Sequence, residues 1–230
     1  MASFNIFGEK NEFQREFLDH LVSENGFIER KNKDFSRSYA MDIDLLFEFL
    51  YKSQGDLMAD LEGIYKDDLR ETLVNFINGE ITKKGSSLVD VLKNGIEISN
   101  RKLELMYTRP ATDFNKDLTK KYESNIFSVM EEVWVNDDER VDLVLFLNGL
   151  AIISLELKSE YSGQTYRDAI EQYRTDRDPK SRLFLWKAGC FVNFAMDTSE
   201  VMMTTKIDGP ATFFLPFNKG RGEGVHTGAG

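Results

Sequence analysis

Three runs rich in Val, Ile, Leu and Phe follow one another almost without interruption: NIFSVMEEVWV (125–135), RVDLVLFLNG (140–149) and LAIISLELK (150–158). Each has the length and β-branched content of a strand. Asn148-Gly149 stands between the second and third, and that dipeptide closes hairpins because both residues tolerate positive φ. A chain with this meander must build a sheet.

The flanking segments change period. EKNEFQREFLDHLVSE (9–24) places Phe13, Phe17, Leu18, Leu21 and Val22 at helical spacing, with Asn25-Gly26 as a stop. Further helical patterns fill about 39–94, divided by Gly55, Gly79 and Gly85, and read as a helical insertion. KLELMY (102–107) alternates like a strand, and a polar helix is expected from about Asp113 to Tyr122. After the meander, TYRDAIEQYRTDR (165–177) reads as a helix, and AGCFVNFAMD and EVMMTTKI as strands. This order suits an α/β (α+β) domain, one mixed sheet flanked by helices.

With 41% hydrophobic and 30% charged residues, 230 residues support one sizeable core. No apolar run is long enough to cross a bilayer, and the opening MASFNIFGEKNEF has neither a basic leader nor a small-residue cleavage site, so a cytoplasmic location is expected. The single Cys190, in an apolar run, reads as a small core residue, and two distant histidines suggest neither a zinc site nor a triad. Any metal would need oxygen ligands. The net charge of −10 argues against simple affinity for nucleic acid. Residues 1–150 nevertheless carry 19 Lys plus Arg against 29 Asp plus Glu, whereas 151–230 carry 10 of each, so the deficit is N-terminal.

Charge inside a strand is costly and therefore informative. Asp142 interrupts the second run, and the third ends Leu155-Glu156-Leu157-Lys158, where 156 and 158 point to one face. Whether Asp142 joins them depends on the hairpin. A two-residue loop pairs Leu147 with Leu150 and Asp142 with Leu155, which is the wrong face. A three-residue loop, with Gly149 in the left-handed position of a bulge, pairs Phe146 with Leu150 and Asp142 with Ser154. That loop, or an equivalent bulge elsewhere in the ladder, is expected. Two carboxylates about 7–8 Å apart on neighbouring strands can share a cation. A hard ion such as Mg²⁺ binds one or two carboxylates and keeps waters, which suits phosphodiester hydrolysis. Lys158 would position or help deprotonate the nucleophile, and the Leu157 carbonyl is a further candidate ligand. On spacing alone, a strand-end salt bridge is an equal alternative.

The stretch from RVDLVLFLNGLAIISLELK through QTYRDAIEQYRTDRDPKSRLFLWKAGCFVNFAMD, together with TRPATDFNKDL, YESNIFSVMEEV and FFLPFNKGRGEG, resembles the N-terminal nuclease domain of the restriction (R) subunit of type I restriction-modification enzymes. The resemblance runs from about Asn11 to the last residue. It implies a PD-(D/E)XK restriction-endonuclease-like core with Asp142, Glu156 and Lys158 as signature residues, a Mg²⁺ cofactor and cleavage of double-stranded DNA as a type I site-specific deoxyribonuclease in defence against foreign DNA. It further implies an intact subunit that continues into an ATP-driven motor and assembles with modification and specificity subunits. No motor motif occurs here, so this chain is expected to be a fragment that neither binds nor hydrolyses ATP.

The resulting organisation is a nuclease domain over 1–217, with its catalytic core at about 98–208, and a Gly-rich linker at 218–230 leading toward the motor. Two positions depart from the family pattern. Gln172 matches the first residue of a Gln-x-x-x-Tyr motif, but the fourth residue on is Asp176; and where such nucleases often carry a helix Glu, Gln14 aligns, with Glu16 a half-turn away as an auxiliary candidate. Arg167, Arg174, Arg177, Lys180 and Arg182 could meet phosphates, although interleaved acids favour a solvated, ion-paired face. Phe184, Trp186, Phe191, Phe194, Phe213, Phe214 and Phe217 read as core and sheet packing. The remaining alternatives are a stand-alone repair nuclease of the same fold and a docking module that has lost activity.

Overall fold

A computed structural model describes residues 6–112, 114–159 and 163–218. In chain order the elements are α1 (Ile6–Asn25), β1 (Ile28–Arg30), β2 (Phe35–Ser36), β3 (Met41–Asp42), α2 (Ile43–Tyr65), α3 (Leu69–Thr82), α4 (Leu88–Asn94), β4 (Ile96–Ile98), β5 (Arg101–Leu103), α5 (Lys116–Glu123), β6 (Phe127–Trp134), β7 (Arg140–Leu147), β8 (Leu150–Leu157), α6 (Tyr166–Thr175), β9 (Val192–Met196), β10 (Val201–Thr204) and β11 (Leu215–Pro216). The main sheet runs β1-β6-β7-β8-β9-β10-β11, with β3 on the hairpin end of β8 and β2 on β3. It is mixed: β1 lies parallel to β6 and β9 parallel to β8, while β6, β7 and β8 form the expected antiparallel meander. The architecture is therefore mixed α/β, consistent with a restriction-endonuclease-like fold.

Apolar residues on the two sheet faces meet different helices. Leu143, Leu145, Leu155 and Leu157 pack with Leu18, Phe17 and Leu21 of α1, whereas Val144, Phe146 and Ala195 pack with Ala169 and Tyr173 of α6 and with Phe184. A third cluster, built from α2, α3 and α4, closes over Met41, Leu150 and Ile152 at the hairpin end. Asp42 starts α2 by accepting from the Leu45 amide (3.1 Å), and its charge is paired with Arg30 Nε at 2.7 Å. Cys190 is buried as expected. Phe184 and Phe214 enter the core, but Trp186, Phe213 and Phe217 are half or more exposed, so the aromatic enrichment is only partly core.

The strand expected over 102–107 is confined to β5, paired with β4 in a small sheet of its own. Beyond Leu103 side-chain amides replace the ladder. Gln54 binds both the amide and the carbonyl of Glu104 (2.8 Å each), at a point where its own backbone leaves helical geometry and kinks α2. Asn125 likewise brackets Tyr107, and Asn148 donates to the Leu105 carbonyl. The polar helix α5 starts at Lys116 on the cap of Asn115. Residues 219–230, nearly all of the expected linker, lie outside the described residues.

The hairpin resolves the question of register differently from the three-residue loop. Asn148 and Gly149 form a two-residue turn with φ of 52° and 80°, and Leu147 pairs with Leu150. The extra residue enters further along: Phe146 pairs with Ala151 but Leu145 with Ile153, leaving Ile152 as the bulge. Ile152 sits where β8 exchanges its outer neighbour, β3 beside Leu150 and β9 from Ile153 onward. The shift changes the parity of everything beyond it.

Gly149 is held tightly: a Cβ there would fall on the Asp42 carbonyl oxygen and 2.6 Å from the Leu46 nitrogen. Gly149→Ala is expected to destabilise the fold by about 2–4 kcal/mol, combining left-handed strain with overpacking; urea unfolding of the variant beside the parent checks this.

Candidate functional site

Continuing the register one step past Leu143–Leu155 sets Asp142 across from Glu156, not from Ser154 as the three-residue loop required. Here the two strands part. β7 stays with β6 as far as Trp134–Arg140, and β8 stays with β9 as far as Leu157–Met196. In place of a ladder bond, the Leu157 amide donates to Asp142 Oδ2 at 2.8 Å. The Asp142 carboxylate is thereby turned into the gap between the strands, and the Lys158 amide is held by the Met196 carbonyl at 2.9 Å.

Asp142, Glu156 and Lys158 are all buried. Glu156 is fully enclosed, with Oε1 bound by Arg177 through Nε (3.0 Å) and Nη2 (2.5 Å), whereas Oε2 has no hydrogen-bond partner among the described residues. Burial, and then the Asp142 charge, push the Glu156 carboxyl up to about 8, against the opposing pull of Arg177 and Lys158. Lys158 Nζ donates to Gln172 Oε1 at 2.6 Å, so α6 brings Gln172 against this cluster. Helix α6 is anchored to the sheet by the Tyr173 hydroxyl on Ser154 Oγ (2.8 Å), itself bound to Asn193.

The α1 candidate is not brought to the site. Gln14 is buried and donates to the Asp142 carbonyl (3.4 Å) and to Glu132 Oε1 (3.3 Å), whereas Glu16, two residues on and so on the far side of the helix, is exposed. Asp176, at the position of the motif tyrosine, is also exposed.

Arg167 and Lys180 are exposed, as the expected solvated face requires, but Arg174, Arg177 and Arg182 depart from it. Arg177 is buried on Glu156 and on the Arg140 carbonyl (2.8 Å). Arg174 binds the Thr212 carbonyl, and Arg182 binds Asn78 and the Ala188 carbonyl, so these three have partners inside the protein. Arg177 was not legible as a site residue, because nothing in its spacing separates it from its neighbours.

Could this donor set hold a hard cation? Two carboxylates converge where the strands part, and one oxygen of the more buried of them lacks a hydrogen bond in an interior where such a vacancy costs about 1–3 kcal/mol. Those oxygens fit a small divalent ion that completes its shell with water. Among the described residues no group of three or more His, Cys, Asp or Glu is placed to hold a metal ion.

A family model described as the type I restriction enzyme R protein N terminus matches residues 9–211. The chain belongs to that family. Two relatives from Methanocaldococcus jannaschii agree: one, provisionally named type I restriction enzyme MjaVIIIP endonuclease subunit, is 30% identical over 141 residues, covering 59% of this chain and 13% of the relative. The other, provisionally named type I restriction enzyme MjaIXP endonuclease subunit, is 24% identical over 141 residues, covering 60% of this chain and 14% of the relative. The aligned part is thus a small fraction of these much longer subunits. No described helix is long and apolar enough to cross a membrane.

The raised Glu156 gives a signed pH effect. An unfolded Glu ionises near 4.3 and the folded one near 8, so between those values the folded state binds the extra proton and loses stability as pH rises. Urea unfolding in the presence of a chelator is expected to show the parent losing stability between pH 5 and pH 8 relative to Glu156→Gln; parallel profiles would contradict the assignment.

Proposed function

We propose that this chain is the Mg²⁺-dependent nuclease domain of a type I restriction R subunit, of the PD-(D/E)XK type, which hydrolyses phosphodiester bonds of double-stranded DNA. The observation that carries the reading is the pair Asp142 and Glu156, brought together by the Ile152 bulge and left with an unpartnered buried oxygen. Family membership adds the biological setting.

In this reading Asp142 and Glu156 hold the cation, with the Leu157 carbonyl as a further ligand. The bound ion supplies charge stabilisation at the phosphate and a more acidic water. Lys158 carries a positive charge into the same gap, where an ammonium orients the attacking water and stabilises negative charge that develops on the phosphate. Gln172 holds the Lys158 amine by accepting its hydrogen bond, which restricts a long side chain to one position. Gln14 fixes the backbone of Asp142 from the opposite layer.

The remainder of the subunit, with an ATP-driven motor, and the modification and specificity subunits would deliver the DNA; site recognition would reside with those partners, in the cytoplasm. The net charge of −10 is in keeping with a domain that does not capture DNA unaided.

Conversion of supercoiled plasmid to nicked circles, measured at high protein concentration with Mg²⁺, tests the reading. Asp142→Ala and Lys158→Ala are each expected to lower the rate about 100-fold or more, since a metal or charge contribution of several kcal/mol is lost and each 1.36 kcal/mol is tenfold. Cleavage by Asp142→Ala at the parent rate would remove this site from consideration.

A further inference from the structure

Arg177 follows the end of α6 and reaches back across the point where β7 and β8 separate. Its Nη2 donates both to Glu156 Oε1 on β8 (2.5 Å) and to the Arg140 carbonyl on β7 (2.8 Å), and its Nε donates to the same Oε1 (3.0 Å). Arginine commonly meets a carboxylate side-on, with two parallel bonds to two oxygens. Here both bonds, from the Nε and Nη2 edge, go to one oxygen, while Nη2 is shared with the Arg140 carbonyl. Glu156 Oε2 is left bare in the interior. Lys158, the other cation of the site, does not fill the vacancy with a hydrogen bond, since its amine is placed on Gln172.

A guanidinium serving only to neutralise a buried acid would be expected to use both oxygens. We propose that Arg177 is a positioning residue: by clamping Glu156 Oε1 to the backbone of the Asp142 strand, it keeps Oε2 free and aimed for a divalent cation and fixes the spacing of the two carboxylates. This rests on the reading of the site given above. The clamp is itself secured, since the next amide, that of Asp178, donates to the buried Glu139 at 3.3 Å, and Glu139 is held by Asn136 at 2.8 Å. Outer partners that orient metal ligands typically contribute 10- to 100-fold in metal affinity.

The test is calorimetric titration of the folded chain with Mn²⁺ alone, paired with the thermal shift that saturating Mn²⁺ produces. Arg177→Lys keeps the charge and loses the fork. It is expected to unfold cooperatively, to bind Mn²⁺ at least tenfold more weakly than the parent, and to show a smaller cation-induced rise in Tm. A purely structural arginine would lower the Tm of the cation-free form but leave the affinity of the folded protein unchanged. Parent-like affinity in Arg177→Lys therefore overturns the proposal while the site reading stands. Should the lysine form not fold, the same titration of Arg177→Gln decides, and parent-like affinity there overturns it equally. If the parent binds no Mn²⁺, or if Asp142→Ala binds it as well as the parent, the site reading fails and the positioning role fails with it.

Discussion

Enclosing a carboxylate in a protein interior costs several kcal/mol unless opposite charge and hydrogen bonds compensate, and much of this fold can be understood as the compensation for Glu156. Its strand needs a neighbour on each side, yet its side chain needs room. The sheet meets both demands by letting β7 and β8 separate just past Leu143 and Leu155, each strand remaining paired on its outer side. The gap is closed by polar groups: Asp142 on the Leu157 amide, Arg177 between Glu156 and the Arg140 carbonyl, and Lys158 on Gln172. Two acids and two bases therefore meet at the strand fork, although the whole chain carries a charge of −10.

The helices on either face act as supports for that fork. Helix α6 brings Gln172 above the sheet while Tyr173, one residue on, is anchored to Ser154 within it, so position along the helix is fixed by a buried hydroxyl pair. From the other layer, α1 contributes Gln14 to the Asp142 backbone, where Glu132, with φ of 55°, breaks the regularity of β6. Asn32 bridges that irregularity by accepting from the Trp134 amide and donating to the Glu132 carbonyl. Amide side chains perform the same service at Gln54, Asn125 and Asn148, where irregular backbone runs beside the helical segment. Buried backbone polar groups must be paired, and Asn and Gln carry both a donor and an acceptor for the task.

Much of this was legible in the chain itself. The meander, the Asn-Gly turn, α1 and α6 follow from periodicity and turn chemistry, and Asp142, Glu156 and Lys158 stood out as charges in apolar strands. The need for a bulge was legible too, by parity, but its place was not: Gly149 already satisfied the two-residue turn, and Ile152 became the extra residue where β8 changes neighbours. The strand expected over 102–107 failed because alternation cannot reveal that side chains 18 to 50 residues away will take its backbone bonds.

By itself, then, the sequence determined most of the elements, the candidate acid pair with its lysine, and the family, because strand and helix periods, buried charge and a long run of matched residues are all local or one-dimensional signals. Tertiary structure alone decided how the acids meet and what holds them. The bulge at Ile152 depends on which strands flank β8, the inward turn of Asp142 depends on the strands parting, and Arg177 lies 21 residues from the carboxylate it clamps. Among five neighbouring basic residues, only the chain's path after α6 selects that one, since burial next to a charge is a property of place and not of spacing.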